Sequence, residues 1–303
     1  MKLFVTGANG MLGQHLIRQL AEEGKFQLHI TGKGTNRVSY GKTSNVTYHA
    51  LDLTDFKKVQ ALVEKVQPHI IIHAGASTQP NDCANDPAQC WKVNVGATRS
   101  LLRAAQKTKS YFIYVSTDFV FDGQDGPYDE TAIPNPVNHY GESKLLAEEM
   151  VEMSGLHWAI ARTVLVYGNK VPGGRSNFVL WVDDHLKKGL PIKVVDDQVR
   201  TPTYVEDLSK GIILMMLKHV KGIYHISGKD TCTPYELALK IASLRGYDSG
   251  LITRVTSDTF IEPAKRPLKT GFIIHKAVRE LGYVPLALEE GLREVLTRHH
   301  NTD

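Results

Sequence analysis

Cysteine is scarce in this chain of 303 residues, with Cys83, Cys90 and Cys232 the full complement. Three thiols at those spacings make neither a disulfide framework nor a zinc site, so they are expected to be free, packed thiols in a reducing compartment, with no metal bound. Charge of one sign is lacking too. The 36 Lys and Arg are interspersed with 32 Asp and Glu, a net charge of +4, which excludes the basic stripe of a nucleic-acid binder and the basic helix of a membrane-surface protein. No apolar run approaches the roughly 18 residues of a membrane span, and the densest, Gly211 to Leu217, is closed by Lys218 and His219. A glycine turn begins at the sixth or seventh residue, which leaves no room for a signal or transit peptide before the first strand. A soluble, cytoplasmic protein is expected. What is present is an ordinary globular composition, 42% hydrophobic and 22% charged, long enough for a sizeable core and a second lobe.

Lys2 to Thr6 is short, apolar and partly β-branched, as a buried parallel strand should be, and it runs into Gly7-Ala8-Asn9-Gly10-Met11-Leu12-Gly13. A helix follows at once, with Met11, Leu12, Leu16, Ile17 and Leu20 at helical spacing. Glycines in such a turn let backbone approach a bulky anion, and the first helical amides point at it; a pyrophosphate is the natural occupant. A second strand, Phe26 to Thr31, leads to the loop Gly32 to Arg37. An acidic residue about 20 residues past the glycines suits NAD, whereas basic residues suit the 2′-phosphate of NADP. Lys33 and Arg37 occupy that place.

The beat of strand and helix continues. Val46 to Leu51 is a strand, Phe56 to Val66 a helix capped by Thr54 or Asp55, and His69 to His73 a strand ending at Ala74-Gly75-Ala76, small enough for a cofactor to lie over it. His73 reads as a packed core residue without a role. Pro80 to Pro87 reads as a polar loop, Ala88 to Lys107 as one long helix, and Tyr111 to Val115 as a strand ending in Ser116-Thr117-Asp118. The pattern predicts an α/β fold: a doubly wound parallel sheet of the Rossmann type with a smaller, mixed α/β C-terminal substrate lobe. Residues 1–165 are expected to form the dinucleotide domain, with 201–230 returning to it through a helix over Thr203 to Leu217, and 166–303 mainly the substrate lobe.

Tyr140 and Lys144 are four apart at the start of a predicted helix and therefore share a face. A cation close to a phenol favours the phenolate, which brings a group that ordinarily titrates near 10 toward use in proton transfer.

Together these pieces resemble the extended short-chain dehydrogenase/reductase family. Thr6 to Gly13 matches its cofactor turn, Asn94 its helix asparagine, Thr117 its Ser/Thr, and Tyr140 with Lys144 its YxxxK pair. Ser116 to Gly123, Tyr140 to Glu148 and Pro202-Thr203 are most similar to its dTDP-4-dehydrorhamnose reductase branch. The resemblance implies Thr117, Tyr140 and Lys144 as catalytic residues. It implies a coenzyme, NADPH with NADH the alternative, held by Gly7, Asn9, Gly10, Met11, Gly13, Lys33, Arg37, Asp52, Leu53, Ala74, Gly75, Ala76, Asn94, Tyr140 and Lys144, with Asp52 beside the adenine. Asp118, Arg175, Asn177, Arg200 and Arg266 are expected near a nucleotide-sugar substrate, because a guanidinium fork matches a diphosphate. The expected partners are that substrate and a second copy of the chain in a homodimer, with no nucleic acid and no membrane.

Three positions depart from the family. Phe119 follows Thr117-Asp118 where sugar-nucleotide dehydratases carry Glu, Arg200 stands where the reductases commonly have Gly, and Lys269 replaces an Asn after Arg266-Pro267. The reaction implied is NADPH-dependent reduction of a nucleotide-linked 4-keto-6-deoxysugar. Two other readings stay open: a non-catalytic regulatory subunit like that of methionine adenosyltransferase, which also resembles these reductases, and a sugar-nucleotide epimerase.

Overall fold

The computed structural model describes residues 1–39 and 45–300. The chain runs β1 (Lys2–Thr6), α1 (Met11–Glu22), β2 (Gln27–Gly32), β3 (Val46–Ala50), α2 (Phe56–Val66), β4 (Ile70–His73), α3 (Pro80–Asn85), α4 (Pro87–Trp91), a π-turn (Lys92–Gly96), α5 (Ala97–Thr108), β5 (Tyr111–Thr117), α6 (His139–Glu152), β6 (Trp158–Thr163), β7 (Val166–Tyr167), α7 (Phe178–Lys187), β8 (Ile192–Val195), β9 (Thr203–Tyr204), α8 (Val205–Leu217), β10 (Gly222–His225), α9 (Pro234–Arg245), β11 (Ile252–Val255), α10 (His275–Leu281) and α11 (Leu288–His300). Seven strands pair in the order β10-β6-β5-β4-β1-β2-β3, all parallel. The sheet is doubly wound, as the sequence predicts, and its order reverses between β1 and β4, the crevice in which this fold holds its ligands.

Each central strand is apolar throughout because both of its faces are covered. Leu3, Val5, Ile70, Ile72 and Ile113 point to the face packed by α1 and α8, while Phe4, Ile71, Phe112 and Ile160 point to the face packed by α2, α5 and α6. A separate core gathers Val179, Leu180, Ile192, Leu237, Ile241, Leu292 and Val295 from α7, β8, α9 and α11. It lies beyond the sheet, and the two-stranded pairs β8–β11 and β7–β9 accompany it.

Four expectations need correction. The polar segment from Pro80 is helical, because Pro80 and Pro87 sit in the first turns of α3 and α4, where a missing N–H costs nothing. The single helix expected from Ala88 is interrupted by the π-turn Lys92–Gly96. The helix expected from Thr203 begins only at Val205, after the two residues of β9. Finally, Cys83 and Cys90 are joined in a disulfide, and only Cys232 is free. The bend between α3 and α4 brings the two Cα atoms to 5.0 Å, a closeness that a seven-residue spacing does not announce. Among the described residues no helix is long and apolar enough to cross a membrane, and no group of His, Cys, Asp and Glu is placed to hold a metal.

Candidate active site

The turn after β1 is built by close backbone packing. Gly7 has φ +75°, and a Cβ there would lie 2.7 Å from the Ala74 carbonyl oxygen; a Cβ on Gly13 would lie 2.1 Å from the Gly7 carbonyl oxygen. Only glycine fits either place. Gly10 caps α1 without a side-chain hydrogen bond, and no acidic residue occupies the first turn. The amides of Met11, Leu12 and Gly13 are therefore left for an outside acceptor at the positive end of the helix. This cradle fits a dinucleotide pyrophosphate. Leu53 closes over Gly75, where a Cβ would come within 2.6 Å of Leu53 Cδ1.

Asn9 organises the neighbouring loop. Its Nδ2 donates to the carbonyls of Lys33 (3.1 Å) and Thr35 (2.9 Å), and its Oδ1 accepts from the Arg37 amide at 3.0 Å. The Lys33 ammonium is exposed and lies 3.0 Å from Asp52 Oδ2. The Asp52 carboxyl is drawn down to about 2, first by the Thr54 backbone N–H and then by Lys33. Arg37 also reaches outward, its Nη1 donating to the Gly173 carbonyl at 2.9 Å.

Asn138 caps α6 by accepting from the Gly141 amide at 2.9 Å. A Cβ on Gly141 would lie 2.1 Å from the Phe119 carbonyl oxygen, so glycine at this position lets the helix start press against the end of β5 and brings Tyr140 to Thr117. Thr117 Oγ1 donates to Asp118 Oδ1 at 3.1 Å and accepts from the Phe119 amide at 3.2 Å. Asp118 is buried; it accepts also from Thr270 Oγ1 and faces Arg200 Nε at 3.7 Å. Burial raises its carboxyl above the usual range, against the pull of Arg200.

Tyr140 and Lys144 share one face of α6, but the effect expected from their spacing is not what the structure shows. Burial holds the Tyr140 phenol well above its ordinary value, a hydrogen bond with Thr117 opposes this, and Asp118 adds to it. Lys144 Nζ instead donates to the Val115 carbonyl at 2.7 Å and lies over the Tyr114 ring, 4.0 Å from its centroid. Burial lowers this amine to about 7, with Glu148 resisting. Glu148 is itself held by Arg162, whose Nε and Nη2 donate to the carboxylate at 3.0 and 2.6 Å.

Asn94, expected at the cofactor, is occupied by the frame. From the π-turn its Oδ1 accepts from the Ser77 amide (2.8 Å), and its Nδ2 donates to the Ser77 carbonyl (3.1 Å) and to Ser143 Oγ (2.9 Å). It ties the segment after β4 to α6. The Cys83–Cys90 bridge packs against Tyr140 from the same side. His73 lies between Thr6 Oγ1 (2.7 Å) and Thr98 Oγ1 (3.1 Å), and burial lowers it to about 3.

Beside Asp118 opens a cavity of about 370 Å³ lined by Phe119, Phe178, Trp181, Arg200, Glu262 and Arg266 among others. A larger hollow, about 570 Å³ between α9 and α11, has none of the residues above in its lining. The substrate residues expected from sequence divide. Arg200 reaches the first cavity with its donors spent on the carbonyls of Val199 (2.8 Å), Leu268 (2.8 Å) and Pro267 (2.6 Å), and Arg266 does so paired to Glu262 at 2.6 Å. Arg175 pairs with Asp82 at 3.3 Å outside the cavity lining, and Asn177 caps α7, accepting from the Leu180 amide at 3.3 Å. Each of the three guanidinium forks thus holds an acceptor within the chain. Sequence reasoning missed Phe178, Trp181, Gln198 and Phe260 as lining residues. Only the aromatic spacing of Phe178 and Trp181, three apart on a helix, hinted at a shared face.

A parallel sheet of this order, a glycine cradle at its switch point, Thr117 at the end of β5 and Tyr140 with Lys144 on the adjoining α6 make this a dinucleotide fold of the short-chain dehydrogenase/reductase type. The chain belongs to the RmlD substrate binding domain family, whose model matches residues 1–301. It is 31% identical over 297 residues to the spore coat polysaccharide biosynthesis protein SpsK of Bacillus subtilis, covering 97% of this chain and 96% of that one. It is 30% identical over 262 residues to methionine adenosyltransferase 2 subunit beta of Xenopus tropicalis, covering 85% and 76%. Among solved structures it is similar to dTDP-4-dehydrorhamnose reductase from Bacillus anthracis in complex with NADP, with a TM-score of 0.84, 30% identity and coverage of 98% and 99%.

Proposed function

We propose that this protein is an oxidoreductase that uses NADPH to reduce the ketone of a nucleotide-linked 4-keto-6-deoxyhexose. One observation carries the reading: Tyr140 at the start of α6 lies against Thr117 at the end of β5, next to Asp118 and Phe119, which line a cavity of about 370 Å³. The NADP complex of the similar Bacillus anthracis reductase supports the choice of coenzyme. When bound, the coenzyme supplies hydride. The chain does the rest. The cradle at Gly7 to Gly13 holds the pyrophosphate, and Lys33 and Arg37 stand where a 2′-phosphate would come. Tyr140, kept protonated by burial, gives its proton to the forming alkoxide, and Thr117 is a second donor to the same oxygen once its hydroxyl turns from Asp118. Lys144, one helical turn from Tyr140 and anchored on the Val115 carbonyl, holds the nicotinamide ribose. Residues 1–165 with 201–230 would carry the coenzyme, and the remainder of 166–303 the sugar nucleotide.

The likeness to a methionine adenosyltransferase subunit keeps a binding role in view, but an intact Thr117, Tyr140 and Lys144 set favours turnover. The deciding experiment follows NADPH oxidation against a panel of dTDP-, UDP- and GDP-linked 4-ketosugars, with equilibrium binding of the same panel beside it. Oxidation with at least one member is expected, dTDP-4-dehydrorhamnose being the first to try. Binding without oxidation would replace the reductase reading with the subunit reading.

A further inference from the structure

The segment between β7 and α7 crosses directly over the glycine turn. At its ends, a Cβ on Gly168 would lie 3.7 Å from Met11 Sδ, and Asn177 Nδ2 lies 3.8 Å from the same atom. Between them, Gln14 Nε2 donates to the Pro172 carbonyl (3.2 Å), Arg37 Nη1 donates to the Gly173 carbonyl (2.9 Å), and Arg175 reaches Asp82 at 3.3 Å. These partners come from α1, from the loop after β2 and from α3, which follows β4. Those are the three segments bordering the groove in which this fold lays a dinucleotide.

We propose that residues 169–176 are a third wall of the dinucleotide site and that Arg37 closes this wall onto the 2′-phosphate. The inference rests on the NADPH reading. A guanidinium has five N–H donors in a planar fork. Arg37 gives Nη1 to Gly173, while its Nε and Nη2 have no side-chain or backbone partner among the described residues. One edge holds the strap; the other is free for an anion. Gly173 is shaped for this contact, with φ +62° and space so tight that a Cβ would lie 2.7 Å from Arg37 Cδ. Without phosphate, an exposed arginine holding a neutral carbonyl gives the strap little security. A phosphate on the other edge immobilises the fork, and the carbonyl contact then anchors the strap. The coenzyme preference is thus read partly by strap closure, which NADH, having no 2′-phosphate, does not bring about.

Lys170 and Arg175 are exposed trypsin sites within the strap, so its opening can be timed. Cleavage after each is followed by mass spectrometry with no nucleotide, saturating NADH or saturating NADPH, and nucleotide fluorescence measures occupancy in each case. NADPH should slow cleavage roughly fivefold more than NADH does, the effect of one modest hydrogen bond on the open population. Arg37→Lys keeps a positive charge but not the fork, so it should still bind NADPH while protection falls to the NADH level. Asp82→Asn releases the opposite end and should speed cleavage in all three conditions. Equal protection by both nucleotides at measured saturation, or full protection in Arg37→Lys, overturns the strap proposal and leaves the coenzyme reading standing. Failure of NADPH to bind at all overturns both.

Discussion

Lys144 Nζ donates to the Val115 carbonyl oxygen at 2.7 Å, which ties the ammonium to the end of β5 instead of directing it at Tyr140. Helical spacing puts the two side chains on one face, but the long lysine stem chooses among the acceptors that the fold supplies. A buried ammonium takes the nearest carbonyl oxygen, since an unsatisfied charge there costs far more than a bent rotamer. Tyr140 is left protonated, as a proton donor must be.

Tyr140→Phe removes that proton and little else, for the ring keeps its contact with Phe119 at a centroid distance of 5.6 Å. We expect kcat for ketone reduction to fall by roughly two to four decades. NADPH affinity by fluorescence titration should stay within about twofold of wild type, because the coenzyme contacts that remain carry most of the binding. Retention of most of the turnover would move the acid to another group.

The Lys144 amine titrates at about 7 in the folded protein against 10.5 ordinarily. Between those values the unfolded chain binds more protons than the folded one, so this site's contribution to stability rises with pH across that window. Below about pH 7 the folded protein bears the whole cost of the buried ammonium. Lys144→Met should therefore raise Tm relative to wild type most at neutral pH and below, with the difference shrinking as the pH climbs toward 10.5. Thermal unfolding across that range tests this, and a pH-independent difference would refute the assignment.

Arg200→Gly installs the residue common in the reductases. It would leave the buried Asp118 carboxylate without its cation and three carbonyls without their donor. A loss of about 3–5 kcal/mol in urea unfolding is expected. Adding Asp118→Asn should recover part of it, because a neutral amide no longer needs a countercharge. No recovery would mean that the carbonyl contacts, not the ion pair, are what Arg200 supplies.

Denatured, unreduced protein should show one reactive thiol, that of Cys232, and three after reduction. Changing Cys83 and Cys90 together to serine should cost roughly 2–4 kcal/mol of stability. Since the bridge packs against Tyr140, kcat should suffer more than coenzyme affinity. Three thiols before reduction would rule the bridge out.

The sequence by itself determined the alternation of strand and helix, the glycine turn, and the Tyr140 and Lys144 spacing. These are local: a strand covered on both faces must be apolar along its length, and a backbone that passes 2.1 Å from an added Cβ must carry glycine. Tertiary structure decided everything that depends on which distant group supplies a partner. Arg200 is spent on carbonyls 67 and 68 positions away, Arg175 meets an aspartate 93 away, and Asn94 joins Ser77 to Ser143 from a π-turn that no residue pattern marks. The physical reason is that a hydrogen bond or ion pair is worth making only where folding has already removed water. The pattern of side chains along the chain says which groups need partners, and the packed sheet and its loops say which ones they get.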